Sequence, residues 1–154
     1  MLMKIPRVLS IGLFFALAVG LRAASESWMT DLDAAKARAA KEPKRLLIEF
    51  TGSTWCPPCK ALHAKVLTSS EFTAFSKDLV LVALDFPPSS ERTPEKIKAS
   101  PELARLMRIK GEYQAPGFPT VLLYDAQGKQ LSKVVGYDGS SASVYLATLT
   151  AGAK

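Results

Sequence analysis

The sequence predicts an α/β protein, with a central mixed β-sheet and helices on both faces. Three observations predict it. Apolar runs at 45–51, 79–86 and 119–124 have strand length and are rich in Leu, Ile and Val. Segments with helical spacing separate them. The last run is followed by the turn Asp125-Ala126-Gln127-Gly128 and a further run from Lys129 to Gly136, which is a hairpin pattern. Strands alternating with helices, closed by a hairpin, give the order α-β-α-β-α-β-β-α. The 154 residues fit one domain, and 48% hydrophobic residues suffice for its core.

Each element has a local reason. Ser27 to Glu42 is alanine-rich, with Thr30 or Asp31 as N-cap and Pro43 as the stop. Residues 45–51 follow as a strand. A helix is expected from Cys56 to Leu67, because Leu62, Val66 and Leu67 fall near one face. Ser69 or Ser70 can cap a short helical turn through Phe72 and Phe75. Leu79 to Phe86 is a buried strand, and Pro87 to Pro94 is a loop by composition. From Ser100 or Pro101 to Ile109 a helix sets Leu103, Leu106 and Met107 at core spacing, and Gly111 to Gly117 breaks it. Pro119 to Tyr124 and Lys129 to Gly136 form the hairpin. Ser140 or Ser141 opens a last helix to about Thr150.

The first 24 residues differ from the rest. Lys4 and Arg7 precede an uncharged stretch from Val8 to Leu21, and Ala23, Ala24 and Ser25 follow. That is the order of a secretory signal peptide, leaving a domain at 25–154. The apolar run is shorter than the roughly 20 residues a membrane-spanning helix needs, and an uncleaved anchor is the competing reading. The formal charge of +6 falls to about +3 without residues 1–24, which hold three basic residues and no acid. That charge selects no partner. No basic stripe with interleaved aromatics points to nucleic acid. Lys36, Arg38, Lys41, Lys44 and Arg45 fit a solvated helix face and the turn after it.

Cys56 and Cys59 are the only cysteines, in Trp55-Cys56-Pro57-Pro58-Cys59-Lys60. A CxxC pair opening a helix after a hydrophobic strand makes a reactive thiol and a reversible disulfide. As a brace it would do little, because so small a loop barely restricts the unfolded chain. Outside the cytoplasm a redox couple explains it better, with an inert disulfide as the alternative. Zinc wants four ligands, and the chain adds only His63 to the two cysteines. Covalent haem wants His after the second Cys, where Lys60 stands. Neither a metal nor another cofactor is therefore expected.

Trp55-Cys56-x-x-Cys59-Lys60 after a hydrophobic strand, with Gly117-Phe118-Pro119-Thr120 opening a later strand, resembles the thioredoxin superfamily. The resemblance covers residues 28–152. Phe50-Thr51-Gly52-Ser53-Thr54-Trp55 is one residue longer before the tryptophan than in thioredoxin itself. In this it is similar to exported bacterial thioredoxin-like reductases and interchange domains. A segment at 87–99 is extra to the minimal fold.

The resemblance implies roles. Cys56 is the nucleophile, its thiolate favoured by the helix N-terminus. Cys59 is the more buried resolving thiol. Pro57 and Pro58 suit a first turn, yet remove two N–H groups that would solvate the thiolate. Pro119 is the cis-proline facing the CxxC, and Phe118 offers backbone groups to an extended substrate peptide; a core aromatic is the plainer reading of Phe118. Glu49 matches the buried acid behind the resolving cysteine, where burial would raise its pKa and fit it to take a proton. An exposed strand face or an ion pair with a lysine is the alternative. Trp55 shields the site and contacts partners, or simply packs.

The expected function is thiol–disulfide exchange with cysteines of exported proteins, as a periplasmic or secreted enzyme. The reductant direction is favoured and implies a membrane electron-relay partner. An oxidase or isomerase, a non-catalytic module holding a peptide at Phe118, Pro119 and the 87–99 loop, and a copper or haem-maturation chaperone are the alternatives.

Overall fold

The computed structural model describes residues 27–151, so the expected signal segment at 1–24 lies outside the described residues. Four strands make one sheet in the order β2-β1-β3-β4. They are β1 (Arg45–Thr51), β2 (Leu79–Asp85), β3 (Thr120–Tyr124) and β4 (Gln130–Val135). β1 runs parallel to β2 and antiparallel to β3, and β3 and β4 form the hairpin. The sheet is mixed, as expected from the order of elements.

Alternation along the strands divides the core into two layers. Leu46, Ile48 and Phe50 of β1 face one side. There they meet α1 (Leu32–Lys41) through Leu32, Ala35 and Ala39, and α5 (Pro101–Glu112) through Ile109. Leu47 faces the other side, toward α2 (Pro57–Leu62), α3 (Ser70–Phe75) and α6 (Ala142–Ala151), which contribute Leu62, Phe72, Tyr145 and Leu149. Helices therefore cover both faces. Among the described residues no helix is long and apolar enough to cross a membrane.

Four boundaries differ from the sequence expectation. α1 begins at Leu32 rather than Ser27, because Asp31 caps it by accepting from the Asp33 and Ala34 amides at 2.8 and 2.9 Å. The residues before it are extended. Met29 donates to the Leu81 carbonyl and accepts from Ala83, both at 2.9 Å, on the outer edge of β2. The expected helix from Cys56 to Leu67 is α-helical only to Leu62 and widens into a π turn, His63–Leu67. The Thr68 amide closes that turn on the His63 carbonyl at 3.1 Å, and the Thr68 hydroxyl serves the His63 and Ala64 carbonyls.

α5 passes through Gly111 instead of stopping there. Its bonding continues to the Tyr113 amide on the Ile109 carbonyl, and the chain leaves through Gln114 at φ 48°. Glycine inside a helix costs only about 1 kcal/mol relative to alanine, which packing at Ile109 outweighs. The 87–99 segment is ordered as well. A single 3₁₀ turn, Ser89–Glu91, leads into α4 (Pro94–Ala99), capped by the Thr93 hydroxyl. Proline at the first helical position removes no bonded N–H, so Pro94 starts this helix rather than extending the loop.

Phe50 is fully buried between the rings of Phe86 and Tyr113, with centroids at 6.1 and 5.9 Å. Phe50→Ala is expected to lower the unfolding free energy by about 3–5 kcal/mol in a denaturant titration. A loss under about 1 kcal/mol would show that this layer does not pack as described.

Candidate active site

Strand β1 ends at Thr51, and the turn Gly52–Trp55 delivers the chain to α2. The Trp55 and Cys56 amides donate to the Gly52 carbonyl at 3.2 and 2.9 Å, which tightens the turn. Cys56 is the N-cap of α2, and its Sγ accepts from the Cys59 amide at 3.3 Å. Pro57 and Pro58 fill the first two helical positions, so they withhold no donor the helix needs. Cys56 and Cys59 are joined as a disulfide, with Cα atoms 5.3 Å apart. Both residues are buried, Cys59 at 1% exposure and Cys56 at 3%. The expected contrast in burial between them is therefore slight in the oxidised chain.

Aromatic rings frame this disulfide. The Trp55 indole N–H donates to the Phe86 carbonyl at 2.6 Å. Its ring meets Phe118 edge-on at 5.6 Å, and Phe118 lies 5.0 Å from Phe86. The Phe118–Pro119 peptide bond is cis. Thr120 then enters β3, with its hydroxyl on the Gly117 carbonyl at 2.8 Å. Gly52 makes the arrangement fit, since a Cβ there would stand 2.5 Å from the Trp55 ring.

Glu49 sits on β1 behind the disulfide, only 4% exposed. Burial raises its pKa to about 7, a hydrogen bond with Thr51 opposes the rise, and the nearby Asp85 charge adds to it. Glu49 and Cys59 line one cavity of about 550 Å³, together with Thr51, Lys60, His63 and Asp85. His63, the first residue of the π turn, is exposed and lines the outer part of this cavity. Asp85 is held by Ser53, whose amide and hydroxyl donate at 2.8 and 2.5 Å. The cavity thus joins a buried acid to the inner cysteine and to the surface.

A family model described as thioredoxin-like matches residues 27–126. The chain belongs to the thioredoxin-like family. It is 30% identical over 135 residues to the disulfide bond reductase DsbH of Chlamydia pneumoniae, covering 87% of this chain and 76% of that one. Among solved structures, DsbH oxidoreductase matches with a TM-score of 0.66 at 26% identity, over 92% of this chain and 93% of the other. A thioredoxin from Thermus thermophilus matches with a TM-score of 0.57 at 19% identity, over 82% and 85%, which supports the fold alone. With a CxxC disulfide at the head of a helix, the chain is a DsbH-like thiol–disulfide oxidoreductase.

The thioredoxin-like fold brings the six residues singled out in the sequence to one end of the sheet. Trp55, next to Cys56 in the chain, packs on Phe118, which a cis bond joins to Pro119, and Glu49 shares a cavity with Cys59. Glu49 is buried, which removes the exposed-face alternative, and among the described residues no ion pair joins it to a lysine. Phe118 is half-buried and packs against both Trp55 and the core. Sequence reasoning did not single out Phe86, Asp85 or Arg92. Phe86 and Asp85 end an ordinary buried strand, and Arg92 lies in a loop with no motif. Only the contacts give them away.

Two outcomes follow from this geometry. Glu49 keeps its proton to about pH 7 when folded, against 4.5 in water. The folded chain binds that proton more tightly, so the associated stability is complete below 4.5 and is lost as pH rises through 7. The loss amounts to about 3 kcal/mol at most. Glu49→Gln cannot titrate, so its stability relative to the oxidised wild type should grow between those pH values in denaturant titrations; a constant gap would exclude the buried, raised carboxyl. Gly52→Ala should displace the Trp55 ring, changing its fluorescence and destabilising the protein by about 1–3 kcal/mol. Unchanged emission and stability would mean that the ring does not depend on the missing Cβ.

Proposed function

We propose that this oxidoreductase acts as an exported reductant of protein disulfides. The carrying observation is the cap of α2. Once reduced, Cys56 would stand at a helix start with a single nearby backbone donor, the Cys59 amide, because Pro57 and Pro58 have none. That favours the thiolate without the unusual stabilisation that makes a strong oxidant. The name of the Chlamydia pneumoniae relative, a disulfide bond reductase, supports the same direction. The order of residues 1–24, basic, then apolar, then small, supports export as a signal peptide.

In the proposed reaction the Cys56 thiolate attacks a substrate disulfide. One substrate sulfur leaves as a thiolate that takes a proton from water, and the other forms a mixed disulfide with Cys56. Glu49, as carboxylate, takes the Cys59 proton across their shared cavity. The Cys59 thiolate then attacks the Cys56 sulfur, releases the second substrate thiol and leaves the Cys56–Cys59 disulfide seen here. Two electrons pass to the substrate. A membrane dithiol relay would return them. The cis Phe118–Pro119 segment, beside Trp55, holds the substrate peptide in extended form, and its backbone pairing tolerates varied sequences.

The reduction potential of the Cys56–Cys59 couple, measured against a glutathione or dithiol buffer, is expected near or below about −250 mV. The protein should reduce insulin, and Cys56→Ser should abolish turnover. A potential near about −120 to −180 mV would make it an oxidant or isomerase, and turnover that survives Cys56→Ser would sink the mechanism.

A further inference from the structure

The 87–99 segment carries a charge onto the face described above. The Arg92 guanidinium lies 5.5 Å from the Trp55 ring and 5.3 Å from the Phe118 ring, within cation–π range of both. Lys110 of α5 reaches the same Phe118 ring at 5.5 Å. Two cations from separate elements therefore converge on the aromatic pair that borders the disulfide. They lie close enough that Arg92, after burial, helps to push the Lys110 pKa down.

Neither cation is ion-paired within the described residues. Three carboxylates on neighbouring elements have other partners: Glu91 has Lys96 at 2.7 Å, Glu112 has Arg108 at 3.5 Å, and Asp85 has Ser53. Among the described residues Lys110 donates to the Ala115 carbonyl at 2.6 Å, a neutral partner. The Arg92 Nε is shielded from solvent and has no acceptor. Such a shielded donor is costly unless something offsets it. The segment is also braced for its position. The Arg92 amide closes the 3₁₀ turn on the Ser89 carbonyl at 3.0 Å, and Lys96 donates to the Ser90 carbonyl at 3.1 Å. The turn that carries Arg92 is thus held in place, and little backbone freedom remains to be lost on docking.

We infer that the face formed by Trp55, Phe118, Arg92 and Lys110 receives a protein segment with an acidic side chain next to its reactive cysteine. The inference rests on the reading that substrate docks along Phe118–Pro119. A carboxylate there would lie between the two cations, offsetting their mutual repulsion and giving the Arg92 guanidinium an ionic partner. The remaining contacts are backbone pairing, so this charge is what would discriminate among substrates.

The test uses short peptides that differ only in the residues flanking the cysteine: Glu, Gln or Lys. In the first arm, cysteine-free versions with serine in its place are titrated into the oxidised protein and binding is followed by tryptophan fluorescence. At low ionic strength the Glu peptide should bind about fivefold tighter than the Lys peptide, and salt should erase the difference. Arg92→Gln should bring the ratio toward one, Arg92→Lys should keep most of it, and Lys129→Gln in the β3–β4 turn should keep all of it. Equal binding by wild type, or a preference that survives Arg92→Gln combined with Lys110→Gln, overturns the inference. In the second arm the disulfide-linked peptides are offered to the reduced protein. Charge-selective binding without turnover keeps this surface and removes the redox reading; turnover with no charge selectivity in either arm does the reverse.

Discussion

Arg45–Thr51 is hydrogen-bonded on both edges, to β2 and to β3, and is covered on both faces by helices. A strand so enclosed can hold only side chains that need no water, apart from those whose polarity the surroundings accommodate. β1 carries one such carboxyl. The enclosure that keeps Leu47 and Phe50 dry also moves the Glu49 proton affinity to about neutrality. A single constraint, exclusion of water from the central strand, thus stabilises the sheet and raises the proton affinity of the carboxyl within it.

The same strand sets the position of the cysteines. β1 ends one residue before the Gly52 turn, whose carbonyl gathers the Trp55 and Cys56 amides, so α2 starts at a fixed place above the sheet edge. Phe86 follows β2 by the parallel pairing, and its carbonyl fixes the Trp55 indole. Phe118 precedes β3 by the antiparallel pairing and closes against that indole. Three adjacent strands therefore each send one aromatic residue to the same end of the sheet. The disulfide lies among groups whose spacing the backbone ladder holds, which is the rigidity that repeated thiol exchange at one sulfur requires. α4 and the turn before it follow β2 in the chain and lie outside that ladder. Their one contribution to the face is Arg92.

Much of this was legible in the chain. The strands at 45–51, 79–86 and 119–124 show themselves because burial on both faces leaves unbroken apolar runs, and the CxxC after the first of them marks the chemistry. Helix ends were less legible. Whether a helix starts at Ser27 or Leu32 depends on Met29 finding the edge of β2, which no local pattern announces. The π turn after Leu62 depends on Thr68 serving the carbonyls that the wide turn frees. α5 continues through Gly111 because packing at Ile109 outweighs glycine's weak preference.

By itself, then, the sequence determined the fold class, the sheet's inner strand and the redox pair, and it raised the expectation of four residues around that pair. These depend on apolar periodicity and on residue types whose chemistry is local. Tertiary structure alone decided that Glu49 is buried, that Phe86 anchors Trp55, and that Arg92 and Lys110 meet on Phe118. Those are encounters between residues far apart in the chain. Burial, shared hydrogen bonds and converging charge belong to the space between elements, and no single segment carries them.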